Sequence, residues 1–277
     1  MSVQYSVLMS VYYKEKPENL REAMNSIWNQ TVKTDDFVLV CDGNLTEGLD
    51  QVIQEMQDLH RELNIVRLSS NKGLGTALNI GMKSCKNELV ARMDSDDISR
   101  KDRCERQIKV FSDYTDVSIC SGTVEEFTED IKKVSSRRVL PETNSEIMEF
   151  SKHRNPFNHP CVMYKKSEVE KAGGYKDFYL LEDYYLWIRM LQRGCVGYNI
   201  REPLLWMRGG AEMYKRRSGF RYGVSQGRLF SYMKNTGFIS FSDFVKSVIQ
   251  RMIVSLVPNR VRQIAFGAFL RNDLDSK

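Results

Sequence analysis

The sequence predicts an α/β protein in which helices flank a mainly parallel central sheet. Four short apolar runs in the first hundred residues alternate with three segments whose apolar residues recur at helical spacing. Strands and helices that alternate at these lengths indicate right-handed crossovers and a parallel sheet. Ligands bind such sheets beyond the carboxyl ends of the strands, and Tyr12, Asp42 and Asp94 follow or end three of the predicted strands. These residues are therefore expected at one edge of the sheet.

Each element of this first half has its own signal in the sequence. The apolar runs predict strands at 5–13, 37–43, 64–70 and 88–94. Pro17 stands near the start of the first helix, where a proline fits. The second helix is predicted from Leu49 to Leu63 and the third from Leu74 to Met82, from their amphipathic patterns.

The second half is less regular. Strands are predicted at 116–127, 134–140 and 160–165. A helix is predicted over 181–194, with acids in its first turn and a glycine at its end. The final ~60 residues look helical, with breaks at "NTGFIS" and at Pro258.

Composition narrows the class of protein. The 277 residues are enough for one large domain or for a domain with an appendage. Six cysteines without a C-x-x-C pair or nearby histidines argue against a zinc site or a disulfide scaffold and favour a reducing compartment. Neither a signal peptide nor an apolar run of membrane-spanning length is recognised. A cytosolic protein, or one bound to a cytosolic surface, is expected.

Charge is distributed unevenly along the chain. The net charge is +5, but residues 201–272 carry 13 Lys or Arg against three acids, whereas residues 1–200 carry 27 against 31. The last third is thus a basic module on a mildly acidic body.

A dinucleotide-binding fold is disfavoured. Such a fold needs G-x-G-x-x-G directly after the first strand, and "VYYKEKPENL" occupies that place without a glycine. The later "NKGLGTALN" has two of the three glycines, and Leu78 stands at the third position. This second segment reads as a turn that enters a helix.

The stretch "ARMDSDDIS" is the strongest chemical signal. Asp94 and Asp96 are two residues apart at a strand end, so their carboxylates point the same way, and hard divalent cations prefer oxygen ligands. The alternative is an acidic turn that caps the next helix through Asp97 or Ser99. The three carboxylates alone leave both interpretations open.

The order of several segments resembles one known family. "SVLMSVYYKEKPENLREAMNSIWNQT", "VLVCDG", "NKGLGTALNIGMK", "ARMDSDD", the R-x-x-R-Q run from Arg103 to Gln107, "NHPCVMYKKS", "AGGY" and "LEDYYLW" follow one another as in the family 2 inverting glycosyltransferases with the GT-A fold. The resemblance spans residues 3 to about 208 and is closest to the bacterial O-antigen, capsule and exopolysaccharide branch. It implies a catalytic domain at 1–210, with a nucleotide-binding half (1–100) and an acceptor half (101–210). A basic helical tail, 211–277, would serve as lid and membrane-surface contact.

The resemblance also implies roles for individual residues. Asp42 would accept a hydrogen bond from uracil, and Asp96, with Asp94, would hold Mn²⁺ or Mg²⁺ beside the diphosphate. Asp97 is expected mainly as a cap or as a support for the metal ligands. The implied nucleotide-sugar site consists of Ser10, Tyr12, Asp42, Lys72, Asp94 and Asp96.

An acid of the "ED" pair would take the proton of the acceptor hydroxyl, with Asp183 placed ahead of Glu182. The alternative is that both acids only favour a helix N-terminus. His159 and Trp187 are candidates for the donor or acceptor site, against a structural histidine and a core tryptophan. Lys215, Arg216 and Arg217 are candidates for diphosphate binding, against a solvated basic face.

The tail has an amphipathic pattern. Phe244, Val248, Met252 and Leu256 predict one apolar helix face, with basic residues elsewhere. Such a helix suits an anionic membrane surface, and the alternative is a helix packed on the catalytic domain. Nothing in the sequence supports nucleic-acid binding.

Together these features predict a metal-dependent transferase. It would move glucose or galactose from a UDP-sugar to a lipid-diphosphate-linked N-acetylhexosamine, form a β-linkage (β-1,3 is the first expectation), and act in O-antigen or capsule synthesis. Its expected place is the cytoplasmic face of the bacterial inner membrane, as a peripheral protein. The alternatives are a sugar-phosphate nucleotidyltransferase and an inactive assembly protein of a polysaccharide complex.

Overall fold

The computed structural model describes residues 3–209 and 220–256. The predicted basic run at Lys215, Arg216 and Arg217 lies outside these residues, as do residues 257–277. The described chain forms nine strands: β1 Tyr5–Val11, β2 Asp36–Cys41, β3 Leu63–Arg67, β4 Leu89–Asp94, β5 Ile98–Ser99, β6 Val117–Phe127, β7 Ser136–Arg138, β8 Met163–Lys165 and β9 Val196–Arg208.

Nine α-helices and one 3₁₀ turn complete the described part. The helices are α1 Pro17–Trp28, α2 Glu47–Leu59, α3 Leu74–Ser84, α4 Arg103–Asp113, α5 Asn144–Ser151, α6 Lys166–Lys171, α7 Glu182–Gln192, α8 Phe220–Asn235 and α9 Phe241–Leu256. The 3₁₀ turn is His159–Cys161. The second helix was predicted to continue to Leu63, but α2 ends at Leu59, and Leu63 begins β3.

All nine strands join one sheet. Its order is β3-β2-β1-β4-β8-β6-β9-β5. β7 lies off this path and pairs with residues 124–126 of β6. The first four strands of this order run parallel, which confirms the prediction for the first hundred residues. β8 is antiparallel to both β4 and β6, so it connects the parallel half to the second half of the sheet.

Side chains alternate between the two faces of the sheet and build two cores. Val7 and Met9 of β1 enter a cluster with α1, α2 and α4. Leu8, between them, enters a cluster on the opposite face with α3, α5, α6 and α7. The period-2 alternation of a strand buried on both faces accounts for this division.

The long strand β9 was not predicted. It runs parallel to β6 from Val117↔Val196 to Phe127↔Arg208 and also pairs with β5. The register shifts near Gly122 and Thr123, where the partner moves from Ile200 to Pro203. Arg201, Glu202 and Pro203 interrupt the apolar alternation there, which is why the sequence pattern does not reveal the strand.

The R-x-x-R-Q run has a structural role. Arg103 is fully buried, and its Nη2 donates to the carbonyl oxygens of Arg92 at 2.7 Å and Val162 at 3.2 Å. The amide of Gln107 donates to the carbonyl oxygens of Cys120 and Cys161. These bonds connect α4 to β4, to the 3₁₀ turn and its following residue, and to β6.

The tail begins as a packed structure. Leu229, Phe230 and Met233 of α8 are buried in a third cluster with Tyr184 and Ile188 of α7. α8 therefore packs against the part of the chain that precedes it. No helix within residues 3–209 or 220–256 is long and apolar enough to cross a membrane.

Close packing of α3 gives a stability prediction. A Cβ at Gly81 would lie 2.4 Å from Val40 Cγ2 and 2.6 Å from Leu8 Cδ1. Overpacking should outweigh the better helix propensity of alanine, so Gly81→Ala should lower the free energy of unfolding by about 1–2 kcal/mol. Gly223→Ala is the matched control, since nothing lies within 4 Å of the Cβ it would add. This control should raise stability by about 0.5–1 kcal/mol in denaturant unfolding. Equal stability of both variants would contradict the packing described.

Candidate active site

The carboxyl ends of β1, β2 and β4 place three of the predicted residues together. Ser10 pairs directly with Asp94 in the register of β1 and β4. The backbone N–H of Asp42 donates to the carbonyl of Val11 at 2.8 Å, so Asp42 lies beside the end of β1, next to Tyr12. The edge predicted from the parallel topology is therefore formed by these side chains.

Asp42 is nearly fully buried and organises the loop before α3. Its Oδ1 accepts from the backbone N–H of Lys72 at 2.7 Å, and its Oδ2 accepts from that of Gly73 at 3.0 Å. Gly43 has φ 88°, and a Cβ there would lie 2.6 Å from the backbone nitrogen of Asn71, so only glycine fits. The side chain of Lys72 is exposed, while its backbone is fixed by Asp42.

Three carboxylates crowd at the end of β4. One oxygen from each of Asp94, Asp96 and Asp97 lies within 4.8 Å of the others. Burial, together with the charges of Asp94 and Glu15, raises the pKa of Asp96 to about 7. Oδ2 of Asp97 is buried and has no hydrogen-bond partner among the described residues. An all-oxygen, like-charged group with an unpartnered buried oxygen fits a hard divalent cation such as Mg²⁺ or Mn²⁺.

The helix-cap interpretation of Asp97 and Ser99 is wrong. α4 begins only at Arg103, and Ser99 lies in β5. Asp97 Oδ1 instead accepts from the backbone N–H of Arg208 at 2.8 Å, and Arg208 Nε donates to the carbonyl of Asp96 at 3.0 Å. The end of β9, in the second half of the sheet, thus holds the acidic turn that follows β4.

A buried cation lies directly beneath the acids. Arg92 is 1% exposed and, two residues before Asp94 on β4, points to the same face. Its Nη2 donates to Asp94 Oδ1 at 2.5 Å, while Nε and Nη1 have no partner among the described residues. Burial raises the pKa of Asp96 and of Glu182, and the charge of Arg92 partly offsets both increases, so one guanidinium acts on both halves of the site.

The "ED" pair opens α7 and faces this edge. A Cβ at Gly75, in the first turn of α3, would lie 3.6 Å from Glu182 Cβ, so the two helix starts approach closely. Burial and the charge of Asp183 raise the pKa of Glu182 to about 7. Asp183 Oδ2 accepts from Asn155 Nδ2 at 2.6 Å, which orients the carboxylate. Both acids are half-buried.

The "AGGY" loop supports the same region. Asn79 of α3 accepts from the backbone N–H of Tyr175 at 2.7 Å and donates to its carbonyl at 2.6 Å. Gly174 has φ 64°, and a Cβ there would meet the Asn79 side chain at 2.6 Å. The Tyr175 hydroxyl is 3.0 Å from His159 Nε2. Burial, with the nearby charge of Arg92, lowers the pKa of His159 well below its usual value, so this ring is neutral near pH 7.

The Trp187 side chain is buried and cannot stack on a sugar. It has no exposed surface and belongs to the core cluster between the sheet and α7, edge-on to Phe157. The hypothesis of an acceptor contact is therefore wrong in this conformation, and the core interpretation holds. Lys215, Arg216 and Arg217 stay predictions, since they lie outside the described residues.

Sequence reasoning missed three residues of this site. The sequence could have indicated Arg92, because a charged residue inside an otherwise apolar buried strand needs a partner of opposite charge. No sequence pattern indicates Asn155 or Arg208, since both reach the site through tertiary contacts. Asn155 comes from the loop after α5, and Arg208 from β9, which was not predicted.

The raised pKa of Glu182 gives a prediction for stability. The folded protein binds this proton up to about pH 7, whereas an unfolded glutamate releases it near 4.5, so the native state loses stability as pH rises through that window. Glu182→Gln should therefore be more stable than the parent by about 1–2 kcal/mol at pH 8, with little difference at pH 4.5. Metal-free thermal unfolding at both pH values measures this, with Glu149→Gln on exposed surface as control. A constant difference at both pH values would contradict the assignment.

Comparison with protein families places the chain. Residues 6–171 match the model of "Glycosyl transferase family 2". The chain is 40% identical over 273 residues to the UDP-Gal:alpha-D-GlcNAc-diphosphoundecaprenol beta-1,3-galactosyltransferase of Escherichia coli, covering 98% of each chain. It is 38% identical to the amylovoran biosynthesis glycosyltransferase AmsE of Erwinia amylovora, covering 95% of this chain and 97% of AmsE.

Solved structures share the fold at low identity. Residues 1–349 of S. aureus TarS, in complex with UDP-GlcNAc, superpose with a TM-score of 0.68 at 14% identity, over 97% of this chain and 76% of that one. The mannosyltransferase PcManGT from Pyrobaculum calidifontis, in complex with GDP-Man and Mn²⁺, gives 0.65 at 16% identity, over 96% and 73%. These matches confirm the predicted GT-A fold. The chain belongs to glycosyl transferase family 2.

Proposed function

We propose that this glycosyltransferase moves a hexose, galactose in the first place and glucose as the alternative, from a UDP-sugar to N-acetylglucosamine linked through diphosphate to a lipid. The observation that carries the proposal is the carboxylate cluster of Asp94, Asp96 and Asp97, which lies at the same sheet edge as Asp42, with the charge of Arg92 acting on both Asp96 and Glu182. The name of the E. coli relative supplies the donor, the acceptor and the β-1,3 linkage. Its near-complete, 40% identical match supports carrying them over.

The nucleotide side of the site uses residues that the fold already fixes. Asp42 has both carboxylate oxygens anchored to backbone N–H groups, and each oxygen retains a lone pair for the N–H of uracil. Ser10 and Tyr12 line the end of β1 beside it, and the exposed Lys72 side chain is free to approach phosphate. The nucleotide pocket would thus need little rearrangement to form.

Asp94 and Asp96 would hold a divalent cation, with Asp97 supporting them from the β9 side. A bound Mn²⁺ or Mg²⁺ would stabilise the negative charge that develops on the diphosphate of the leaving UDP. Arg92 fixes the Asp94 carboxylate from below, so the ligand oxygens are oriented before the donor arrives.

Transfer would be a single displacement with inversion. The acceptor hydroxyl oxygen bonds to the anomeric carbon, the bond from that carbon to the β-phosphate oxygen breaks, and UDP leaves with the electron pair. Asp183 takes the hydroxyl proton, and its hydrogen bond from Asn155 directs one carboxylate oxygen while leaving the other open. Glu182, with its pKa near 7, would bind the donor or acceptor sugar in either protonation state.

We propose that the transfer takes place at a membrane surface. A lipid-linked acceptor requires the enzyme at a membrane surface, and the cytoplasmic face of a bacterial inner membrane is where UDP-sugars are available. The basic tail is proposed to make that contact, which fits O-antigen or exopolysaccharide synthesis as in the two bacterial relatives. A nucleotidyltransferase is disfavoured, since the segment after β1 lacks the glycine-rich phosphate loop.

Nucleotide binding should depend on both metal and Asp96. UDP with Mn²⁺ should raise the melting temperature of the protein by several degrees, and UDP with EDTA, or GDP with Mn²⁺, by much less. Asp96→Asn should abolish the metal-dependent part, whereas Asp102→Asn, on exposed surface at the start of α4, should leave it intact. An equal shift with and without Mn²⁺ would argue against the metal site.

Transfer itself tests the catalytic assignment. With UDP-galactose and a synthetic N-acetylglucosamine-diphosphate-lipid, Asp183→Asn should lower kcat about 10²–10⁴-fold with little change in the UDP-induced melting shift. Asn155→Ala should lower kcat less, because the carboxylate remains but is no longer oriented. If Asp183→Asn retains near parental kcat while Glu182→Gln loses it, the two acids exchange roles. If neither variant loses activity, the site is misplaced.

A further inference from the structure

α9 presents an apolar stripe to solvent. Phe241 is 70% exposed, Val245 36% and Ile249 52%. Their spacing of four residues puts all three on one side of the helix. These three residues are called the α9 stripe below.

The α9 stripe is not what packs α9 onto the protein. Phe244 is the residue that turns inward: it packs against the cluster of α7 and α8, with Lys234 Nζ 5.5 Å from its ring centre. Ser247, one turn on, is buried too. The sequence pattern predicted an apolar face that starts at Phe244. Of that face, Phe244 is used for internal packing, while the side chains of Val248, Met252 and Leu256 lie outside what the structure describes. The α9 stripe is uncovered within the described residues.

Exposed apolar side chains are concentrated in these two helices. Nine large hydrophobic residues are exposed among the side chains that the structure describes. Five of them lie in α8 and α9, and four are scattered over residues 3–209. Phe220 and Val224, four residues apart at the start of α8, form a second exposed pair. The scattered residues are ordinary for a soluble protein, whereas the concentration here marks an interaction surface.

The charges around the stripe favour one partner. Residues 220–256 carry five basic residues and one acid, Asp243. Asp243 is used locally, since its Oδ2 accepts from the Ser240 backbone N–H and hydroxyl at the start of α9. Lys246, next to Val245, is exposed, and an apolar stripe on a helix pair with an excess of positive charge complements anionic lipid headgroups over acyl chains. The same excess of positive charge opposes pairing with a second copy of this chain.

We propose that the α9 stripe docks α9, lying in the plane of the membrane, into the headgroup layer of an anionic bilayer. The choice of a lipid partner rests in part on the proposed lipid-linked acceptor. α8 packs against both α7 and Phe244 of α9. Docking of the α9 stripe would therefore hold α7, which begins with Glu182 and Asp183, close to the membrane surface that carries the acceptor.

Vesicle sedimentation of the full chain tests the stripe. The parent should sediment with phosphatidylcholine vesicles that contain phosphatidylglycerol and much less with phosphatidylcholine alone. The triple variant Phe241→Ser, Val245→Ser, Ile249→Ser should bind the anionic vesicles at least about tenfold more weakly. Leu59→Ser is the matched control, because Leu59 is 72% exposed at the far end of α2. It should bind as the parent does.

Two results would overturn the proposal: anionic vesicles that fail to bind the parent, or a triple variant that binds them equally well. A triple variant that converts a parental dimer to a monomer in sedimentation equilibrium would assign the stripe to a second copy instead. Melting temperatures within a few degrees of the parent show that the triple variant folds. If it does not fold, Phe241→Ser alone, at the most exposed position of the stripe, repeats the test.

Activity separates this proposal from the proposed transfer. The triple variant should lose most of its activity towards an acceptor embedded in vesicles and keep parental activity towards a short-chain, water-soluble acceptor. Loss of vesicle binding with both activities intact would overturn the link to the acceptor. If the parent transfers to neither acceptor yet binds vesicles through the stripe, the proposed reaction fails and the docking surface stands.

Discussion

The site depends on one interaction: the buried guanidinium of Arg92 against the carboxylates that crowd above it. Asp94, Asp96 and Asp97 would repel one another at the end of β4, and burial makes their charges more costly. Arg92 pairs with Asp94, and its field reaches Asp96, Asp97 and Glu182. The acids around Arg92 outnumber it, and a divalent ion held by Asp94 and Asp96 would offset their mutual repulsion.

The two halves of the sheet serve this cluster differently. The parallel half delivers Ser10, Asp42 and Asp94 to one edge, because parallel strands end on the same side. The second half supplies clamps: Arg208 holds the acidic turn through its backbone N–H and guanidinium, and Arg103 ties β4 to the 3₁₀ turn below it. The site is thus assembled on a continuous hydrogen-bonded layer rather than on independent loops.

The described part of the tail both packs on α7 and exposes apolar side chains. α8 packs Leu229, Phe230 and Met233 into the third cluster. Among the described side chains of α9, Phe244 packs against this cluster, whereas Phe241, Val245 and Ile249 are exposed. Because Phe244 fixes α9 to the third cluster, the exposed α9 stripe belongs to a helix that is attached to the rest of the protein.

The sequence by itself determined the parallel half of the sheet, its site edge and the family, because strand and helix periods and residues adjacent in sequence encode them. Asp42, Asp94, Asp96, Glu182 and Asp183 lie in short motifs and could be named in advance. Only the tertiary structure decided that Trp187 is core, that Asp97 bonds to β9 rather than capping a helix, and that Asn155 orients Asp183. Those contacts join residues 28 to 111 positions apart, and no local pattern specifies such distant pairs.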